Sequence, residues 1–370
     1  MIPTTDFPLP ENAAETASPA LLIDIAAVDR NLARMLAIAG NAERLRPHVK
    51  THKLPQLVRR QLALGISKFK CATIAEAEMV ADCGAPDILL AAQPVGPNVK
   101  RLLTLSERFP ATRFSTIADN ESAIRELSRQ AAHARARLEV FLDLDVGQHR
   151  TGVAPGPLAV QLYRLISSLP GLQPAGLHAY DGHIHDSDFE ARTAACEAAF
   201  APVVELREEL LRAAFLVPAV VAGGTPTFPI HAKRPVECSP GTCVLWDAGY
   251  GKKMPDLAFE PAALLFTRVI SRPAPELLCL DLGHKAVASE MPHPRVIFPL
   301  LPDAKTVVHS EEHLVIETPR ATEFAVGDAL LGVPWHVCPT VALHAEVCVL
   351  DRRRVTERWP VVARARRLTI

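Results

Sequence analysis

The sequence lacks a long apolar run and carries almost no net charge. Its most apolar stretch, residues 213–223, is too short to span a bilayer and is interrupted by Pro218. The 40 Lys and Arg residues against 41 Asp and Glu residues give a net charge of -1, which offers no global field for nucleic acid or for an anionic membrane. We therefore expect no nucleic-acid partner and no membrane association. Any anion that binds must be held by a local site.

Clustered cysteines and an export signal are also missing. The 8 cysteines include no CxxC pair and no tight spacing. Segment 1–15 has neither the basic region nor the apolar region of a secretory signal peptide. We expect reduced thiols and a cytoplasmic protein.

The composition is that of a folded protein with a large core. A chain of 370 residues and 40.1 kDa exceeds what one hydrophobic core usually supports, so we expect a large barrel or two domains. Hydrophobic residues make up 49% and charged residues 22%, which is far from the composition of disordered chains. The 32 prolines are scattered and therefore separate elements rather than form a linker.

From about residue 28 to residue 250, short β-rich runs alternate with amphipathic helical patterns, which is typical of βαβ units and a parallel sheet. The strand-like runs are 44–49, 68–73, 87–92, 113–117, 138–144, 173–179, 217–222 and 236–238. Eight such strands predict a (β/α)8 TIM barrel, whose active site is built just after the carboxyl ends of its strands.

After about residue 251 the pattern changes to short apolar runs separated by turns that contain proline and glycine, with no long helix. This pattern predicts an antiparallel β domain. The run 20–24 precedes the first barrel helix and is a candidate to pair with that domain. We therefore divide the chain into a barrel of residues 25–250 and a β domain of residues 1–24 plus 251–370.

A basic run, RPHVKTHK, follows the first predicted strand and contains Lys50. A lysine at a barrel mouth, partly desolvated and near other cations, can act as an amine nucleophile and form a Schiff base. The alternative is a solvated basic loop, since most lysines are surface charges.

Two glycine-containing loops, GGTPT and SPGT, follow the seventh and eighth predicted strands. Glycine lets backbone N–H groups approach an anion closely, hydroxyls add donors, and this fold commonly binds phosphate at these two loops. The loops therefore predict a phosphate site, with two ordinary turns as the alternative. The candidate residues are Gly224, Thr225, Ser239, Gly241 and Thr242.

Polar and ionisable residues also follow the fifth and sixth predicted strands, in the segments DVGQHRTG and HAYDGHIHD. Together they are typical of the surroundings of a ring-bearing cofactor. Arg150 is a candidate partner of a phenolate oxygen, Tyr180 a further cofactor-binding residue, and His183 a candidate base. Each loop taken alone is also compatible with a solvated surface segment.

In the β domain, His336 and Cys338 stand two residues apart in the segment PWHVCP. In a strand they would point to the same face, and imidazole with thiolate is a ligand pair that suits Zn²⁺. Two protein ligands leave positions for water and substrate, as in a catalytic metal site. The alternative is a buried histidine beside a buried apolar cysteine.

Taken together, the RPHVKTHK run, the GGTPT and SPGT loops, the DVGQHRTG segment and the late HVC resemble the D-threonine aldolase and D-serine dehydratase family. That family consists of fold-type III, alanine racemase-like enzymes that depend on pyridoxal 5'-phosphate. The resemblance covers nearly the whole chain from about Pro19. It implies a barrel that holds the cofactor and a β domain that carries a divalent metal, Zn²⁺, Mn²⁺ or Mg²⁺. It also implies a small D-amino-acid substrate and a homodimer.

Individual positions acquire roles from this resemblance. It implies that Lys50 is the Schiff-base lysine, that Arg150 lies near the phenolic oxygen of the cofactor, and that His183 is a base. The two glycine loops match the phosphate site, and the HVC segment matches the metal ligands. Ser239 stands where alanine racemases have an arginine against the pyridine nitrogen, which implies a neutral partner or another contact for that nitrogen.

The resemblance leaves two reactions open. The His-x-Cys pair resembles that of the dehydratases, whereas the histidine-rich loop and the GGTPTFP segment resemble the aldolases. We prefer the aldolase, because the loop supplies a base for a hydroxyl proton. The alternatives are a D-serine or D-threonine dehydratase, an amino-acid racemase and a non-catalytic pyridoxal-phosphate-binding protein.

Overall fold

In the computed structural model, which describes residues 7–370, the strands form two separate sheets. The strands are β1 (Ala20–Asp24), β2 (Lys68–Cys71), β3 (Asp87–Leu90), β4 (Arg113–Ala118), β5 (Leu138–Leu144), β6 (Leu172–Ala179), β7 (Ala219–Ala222), β8 (Glu237–Cys238), β9 (Ala263–Ala274), β10 (Leu277–Leu280), β11 (Val296–Ile297), β12 (Lys305–His309), β13 (Leu314–Glu317), β14 (Ala329–Pro334), β15 (Glu346–Asp351) and β16 (Arg354–Pro360). The α-helices are α1 (Ile25–Ala39), α2 (Pro55–Ala63), α3 (Ile74–Asp82), α4 (Pro97–Arg108), α5 (Glu121–His133), α6 (Pro157–Ser168), α7 (Phe189–Arg212), α8 (Phe228–His231), α9 (Ala248–Lys253) and α10 (Val337–Leu343).

The chain packs into two units, each built on one of the sheets. The barrel unit comprises Leu36–Lys50, Pro55–Gly241 and Ala365–Ile370. The β unit comprises residues 7–35, Thr51–Leu54 and Thr242–Arg364. The domain boundaries proposed from the sequence, after residues 24 and 250, stay a prediction.

The sheet of the barrel unit is parallel and runs in chain order from β2 to β8. Helices lie between the successive strands along the chain, as the alternating pattern predicts. The parallel barrel sheet and the separate sheet of the β unit confirm the predicted fold class, a TIM-like barrel with a β domain.

The first predicted barrel strand is not a regular strand, which corrects the sequence analysis. Leu45 and His48 form only isolated bridges, to Cys238 in β8 and to Lys70 in β2. Pro47 stands between them and has no N–H to donate, although its carbonyl accepts from Lys70 N at 3.0 Å. The segment therefore closes the ring between β2 and β8 without a continuous ladder.

A buried ion cluster fixes this closing segment at the opposite end from Lys50. Arg46 is 2% exposed and its guanidinium binds Asp87 at 2.6 Å and Glu237 at 2.7 Å. Asp87 begins β3 and Glu237 begins β8. Removing one member of such a buried cluster typically costs about 3–5 kcal/mol, because the remaining charge is left unpaired.

Residues close in sequence explain where helix α3 starts and why strand β3 is buried. At the start of α3 the Thr73 hydroxyl accepts from Glu76 N at 3.1 Å, and the Glu76 carboxylate accepts from Ala72 N at 2.6 Å. Each side chain satisfies a backbone N–H group as in a capping box, although Glu76 reaches the residue before the N-cap. The next strand, β3, is buried at all four positions, as expected for a parallel strand covered on both faces.

The sheet of the β unit is mixed and has nine strands in the described part of the chain. Its main path is β12-β13-β10-β9-β1-β15-β16, and β14 pairs with both β9 and β11. The early strand β1 pairs antiparallel with β9 but parallel with β15. The sequence predicted an antiparallel sheet, whereas this sheet is mixed. No hairpin joins β1 to β15, and the turn geometry therefore does not impose an antiparallel pairing.

Among residues 7–370, no helix is both long enough and apolar enough to cross a membrane.

Candidate active site

In the barrel unit, several positive groups face one aromatic ring. The ring belongs to Tyr180, which follows β6 and is half-buried. The guanidinium carbon of Arg150 lies 5.1 Å from its centroid and Lys50 Nζ lies 5.8 Å from it. The fold thus brings together three residues that the sequence analysis selected separately, from three different loops.

The two glycine loops meet each other and the same ring. A Cβ atom on Gly224 would lie 2.9 Å from Tyr180 Cε2, so only glycine allows this approach. Thr225 Oγ1 accepts from Gly241 N at 3.2 Å and joins the two loops. Ser239 is buried and its hydroxyl donates to the carbonyl of Arg46 at 3.1 Å.

Thr242, the last residue of the predicted phosphate site, belongs to the β unit. It begins a 3-10 turn, Thr242–Val244, and its hydroxyl lies 3.7 Å from Cys338 Sγ. Thr242 thus lies beside a predicted metal ligand. A phosphate-binding role for this residue stays a prediction.

His183 packs against the loop that carries Arg150. A Cβ atom on Gly147 would lie 2.9 Å from His183 Nε2, and Gly147 has φ +117°, a conformation that favours glycine. Nδ1 of His183 is buried and has no hydrogen-bond partner among residues 7–370. A buried ring nitrogen without a hydrogen-bond partner costs free energy. Such an atom is typical of a site where a ligand supplies the missing partner.

A second histidine of the candidate site, His178, was not selected in the sequence analysis. His178 Nδ1 lies 2.7 Å from Asp143 Oδ1, and the two residues are paired in register on β6 and β5. Because a carboxylate only accepts, Nδ1 is the donor, and a neutral ring leaves Nε2 as an acceptor. Burial lowers the pKa of His178, although the bond to Asp143 acts in the opposite direction. Nε2 is buried and has no partner in the described chain.

Lys70 in β2 is a further functional candidate that sequence reasoning missed. It is 2% exposed and its Nζ lies 5.5 Å from the centroid of the Tyr180 ring. Burial, followed by the positive charge of Lys50, lowers the pKa of Lys70 to about 7. The signal in the sequence was a lysine at an inward position of a short, otherwise apolar run, FKC.

Behind the Tyr180 loop lies a buried polar network centred on Asp181. Its carboxylate accepts from Thr227 Oγ1 and from His231 Nε2, each at 2.8 Å. The Arg234 guanidinium lies 3.2 Å from His231 Nδ1, and since a guanidinium only donates, the proton of the neutral ring is on Nε2. The network ties the loop after β6 to the segment after β7.

Asp181, Cys196 and His231 are also the one group of three close metal-type donors found within residues 7–370. Burial, followed by the charge of Asp181, raises the pKa of Cys196 to about 12, so the thiol is neutral at pH 7. The guanidinium of Arg234 lies 3.7 Å from the sulfur. A neutral thiol beside a fixed cation suits a hydrogen-bonded network better than a metal ion.

The structure corrects the local setting of His336 and Cys338 in the β unit. They are not in a strand: β14 ends at Pro334, His336 is the N-cap of α10, and Cys338 lies in the first turn of that helix. Asp247 Oδ2 accepts from Val337 N at 3.0 Å and holds the start of the helix. The two side chains still interact, because each favours the charged form of the other.

The electrostatics of this pair favour the charged forms of both side chains, the imidazolium of His336 and the thiolate of Cys338. Burial opposes the charge on His336, but the bonds to Cys338 and to Glu290 outweigh it and raise the pKa to about 9. Burial likewise opposes the thiolate, but the bond to His336 outweighs it and lowers the pKa of Cys338. The Thr51 hydroxyl lies 3.2 Å from the sulfur.

Both sets of residues fit the groups that the sequence analysis expects. The barrel unit offers glycine and hydroxyl loops for a phosphate, cations around an aromatic ring, and two buried imidazole nitrogens without partners. The β unit offers a nitrogen and a sulfur donor, and the other imidazole nitrogen of His336 is held by Glu290 at 2.5 Å. A carboxylate on the second nitrogen is the usual support of a metal-bound histidine.

The parallel barrel sheet, its cation-lined aromatic ring and the accompanying mixed sheet define an alanine racemase-like protein. Residues 23–245 match the family described as alanine racemase, N-terminal domain, and residues 262–350 match the serine dehydratase domain. The chain belongs to the D-threonine aldolase and D-serine dehydratase family, which confirms the resemblance stated above.

Relatives of known name cover nearly the whole chain. A D-threonine aldolase of Arthrobacter sp is 32% identical over 357 residues, which cover 95% of this chain and 93% of the relative. The crystal structure of a D-threonine aldolase from Filomicrobium marinum has a TM-score of 0.88 at 30% identity, over 95% of this chain and 96% of the other. The D-threo-3-hydroxyaspartate dehydratase from Delftia sp. HT23 has a TM-score of 0.84 at 25% identity, over 94% and 98%.

Proposed function

We propose that this protein is a pyridoxal-phosphate- and divalent-metal-dependent lyase that acts on D-3-hydroxy amino acids. The preferred reaction is the retro-aldol cleavage of D-threonine to glycine and acetaldehyde, as in a D-threonine aldolase. The similarity to two proteins of that name, each over about 95% of this chain, supports the reaction class.

The residues around Tyr180 would hold the cofactor. Lys50 Nζ is the amine that would attach it, while Arg150 and Tyr180 would orient its ring. The donors proposed for its phosphate belong to the two glycine loops and are Gly224, Thr225, Ser239, Gly241 and Thr242. When bound, this cofactor supplies an electron sink for the bond that breaks at Cα of the amino acid.

His336 and Cys338 would hold the metal ion. Their nitrogen and sulfur donors favour Zn²⁺, and Mn²⁺ and Mg²⁺ are the other candidates. When bound, such an ion supplies a Lewis acid for the 3-hydroxyl of the substrate. Glu290 would fix the imidazole through its other nitrogen.

His183 is the observation that favours cleavage over dehydration. In the proposed reaction its Nδ1 takes the proton of the 3-hydroxyl, directly or through a water molecule, while the Cα–Cβ bond breaks. The buried Nδ1 has no partner within residues 7–370, and the ring packs closely against Gly147. Dehydration would use Lys50 as the base at Cα and would give this histidine no role.

The runner-up is a dehydratase that converts D-threonine to 2-oxobutanoate and ammonia. The His-x-Cys spacing favours it, and a solved dehydratase shares the fold over 94% of this chain. An amino-acid racemase and a non-catalytic cofactor-binding protein are less well supported, because neither accounts for His336 and Cys338.

Product analysis with D-threonine and a divalent ion tests the proposal. We expect glycine and acetaldehyde, whereas 2-oxobutanoate would establish the dehydratase and L-threonine or L-allo-threonine a racemase or epimerase. Lys50→Ala should abolish every product. His183→Asn should lower kcat by about a hundredfold or more, since a positioned base contributes at least that much. His185→Asn, in the same loop and exposed, is the matched control, and equal activity of both variants would contradict the role of His183.

The remaining proposals concern partners and location. We propose a homodimer with a small-molecule substrate and a cytoplasmic location. Sedimentation equilibrium measures the oligomeric state, and a monomer at micromolar concentration would contradict the homodimer. The expectations of no nucleic-acid partner and no membrane association stay predictions.

A further inference from the structure

The barrel unit contains a second inward lysine that the proposed reaction does not use. Lys70 lies on β2, whose centre is buried, and is itself 2% exposed. Lysine is among the residues that are least often fully buried, because desolvation of the ammonium costs several kcal/mol unless an anion compensates it. A buried lysine on an inner strand therefore needs a partner.

The carboxylates near Lys70 are already occupied by other groups. Asp143 binds His178 at 2.7 Å, and Asp181 binds Thr227 and His231 at 2.8 Å. Among residues 7–370 no ion pair includes the Lys70 ammonium. Asp143 and Asp181 therefore favour the ammonium only through the longer-range Coulomb interaction, and neither forms an ion pair with it.

Two further cations share the surroundings of Lys70. Lys50, Lys70 and Arg150 lie within 5.1–5.8 Å of the same Tyr180 ring centroid. Arg46 adds a positive charge from the closing segment. Positive groups this close to one ring repel one another, and an anionic aromatic ligand would relieve that repulsion.

We propose that Lys70 is a cofactor-binding residue whose ammonium group donates to the anionic ring oxygen of the pyridoxal cofactor. This inference rests on the proposed function, because it assumes that cofactor. The glycine loops already provide several backbone and hydroxyl donors of the kind a phosphate requires, whereas a cationic side chain beside the Tyr180 ring suits an oxygen on an aromatic ring, where Lys70 would join Arg150. The ring oxygen is therefore the favoured partner, and the phosphate is the alternative that the experiment separates.

The experiment uses the full chain, freed of cofactor, and binding is measured by calorimetry. The probes are deoxypyridoxine 5'-phosphate, which has no aldehyde to react with Lys50, its 3-O-methyl ether, and deoxypyridoxine without the phosphate. The variants are Lys70→Met and Lys70→Arg. Lys68→Met is the matched control, because Lys68 is two residues earlier on β2 and pairs with Glu237 instead.

We expect Lys70→Met to weaken the phosphorylated probe by about tenfold or more, as for loss of a charge-assisted hydrogen bond. Methylation of the ring oxygen should remove most of that difference, since the two changes delete one interaction. Lys70→Arg, which keeps the charge, should recover most of the affinity. Lys68→Met should bind like the wild type.

Proton uptake provides a second readout that a structural role of Lys70 would not change. Burial, followed by the charges of Lys50 and Arg46, lowers the pKa of Lys70 to about 7, against the opposing charges of Asp143 and Asp181. At pH 8 the empty protein holds this amine mostly neutral, so binding of an anionic oxygen should draw in close to one proton. Calorimetry in two buffers of different ionisation enthalpy should show that uptake in the wild type and its loss in Lys70→Met.

The possible failures are distinguishable. If wild-type protein binds none of the phosphorylated probes, the proposed function itself is wrong. If it binds them but Lys70→Met binds equally well with the same proton uptake, only the role of Lys70 is overturned. If the difference survives methylation and disappears with the probe that lacks phosphate, Lys70 serves the phosphate and the ring-oxygen assignment is wrong.

Discussion

At the residue scale, the inner face of the barrel carries charged side chains where packing alone would favour apolar ones. Lys70, Asp143 and His178 are each at most 5% exposed. Burying such groups costs free energy unless each has a partner. Asp143 and His178 satisfy each other in part, while within residues 7–370 His178 Nε2 has no hydrogen-bond partner and the Lys70 ammonium has no ion-pair partner. The buried polar groups that cost folding free energy are thus the groups that a bound ligand would pair with.

His52 gives a prediction about stability and pH. It is 1% exposed, and burial, followed by the charge of Lys53, lowers its pKa to about 3. The unfolded chain binds this proton at about pH 6.5, so between these values the unfolded state holds more protons. Stability is therefore retained above pH 6.5 and is lost as the pH falls through that window.

The size of the effect is measurable by urea unfolding. Between pH 7.5 and pH 5.5 the wild type should lose about 1 kcal/mol that His52→Gln does not lose. His133→Gln, at an exposed position of α5, should show the same pH dependence as the wild type. An identical pH dependence in His52→Gln and wild type would contradict the buried, neutral state of His52.

At the element scale, the loops after β6 and β7 depend on each other. Asp181 receives bonds from Thr227 and His231, while the neighbouring Tyr180 and Gly224 face each other across the same two loops. The position of the Tyr180 ring is therefore set by a network that would not itself touch the cofactor. Asp181 is a positioning residue in this interpretation.

Asp181→Asn tests this dependence between the loops. The asparagine amide would bring a donor towards His231 Nε2, which already carries the proton, and one buried bond is lost. We expect about 1–3 kcal/mol of lost stability and a weaker hold on pyridoxal phosphate, measured by urea unfolding and equilibrium dialysis. Asp186→Asn, exposed in the same loop, should change neither quantity. Unchanged cofactor affinity in Asp181→Asn would show that the network is only structural.

At the scale of the whole molecule, the two proposed ligand sites draw on different units. Apart from Thr242, the cofactor residues belong to the barrel unit, and His336 and Cys338 belong to the β unit. Each unit has its own sheet and its own buried core residues. Loss of one ligand should therefore be separable from loss of the other.

Removal of the metal checks this separation. A chelator should lower product formation by about tenfold or more while the absorbance of the bound cofactor persists. Cys338→Ala should behave like the chelated wild type, and Cys83→Ala, at another half-buried thiol, should behave like the untreated one. Activity that is indifferent to the chelator would refute the roles of His336 and Cys338.

The sequence predicted the elements that depend on neighbours along the chain. Helix α7 begins after Asp188, an N-cap whose carboxylate accepts from Ala191 N, so residues close in sequence set the start of this helix. The predicted secondary structure was wrong in two segments whose structure does not follow the local periodicity. Pro47 interrupts the first barrel strand, and the HVC segment turns into a helix after Pro334 instead of continuing β14.

By itself, the sequence determined the barrel pattern, the glycine loops and the set of chemically active residues around Lys50. These follow from spacing, turn residues and amphipathic periods, which act over a few residues. Only the tertiary structure decided which groups share a face. Lys70, Asp143 and His178 come from three different strands, and Asp181 meets His231 across 50 residues of sequence. Their charges and hydrogen bonds exist only once the sheet has closed, because burial and Coulomb interactions depend on distance in space and not on distance along the chain.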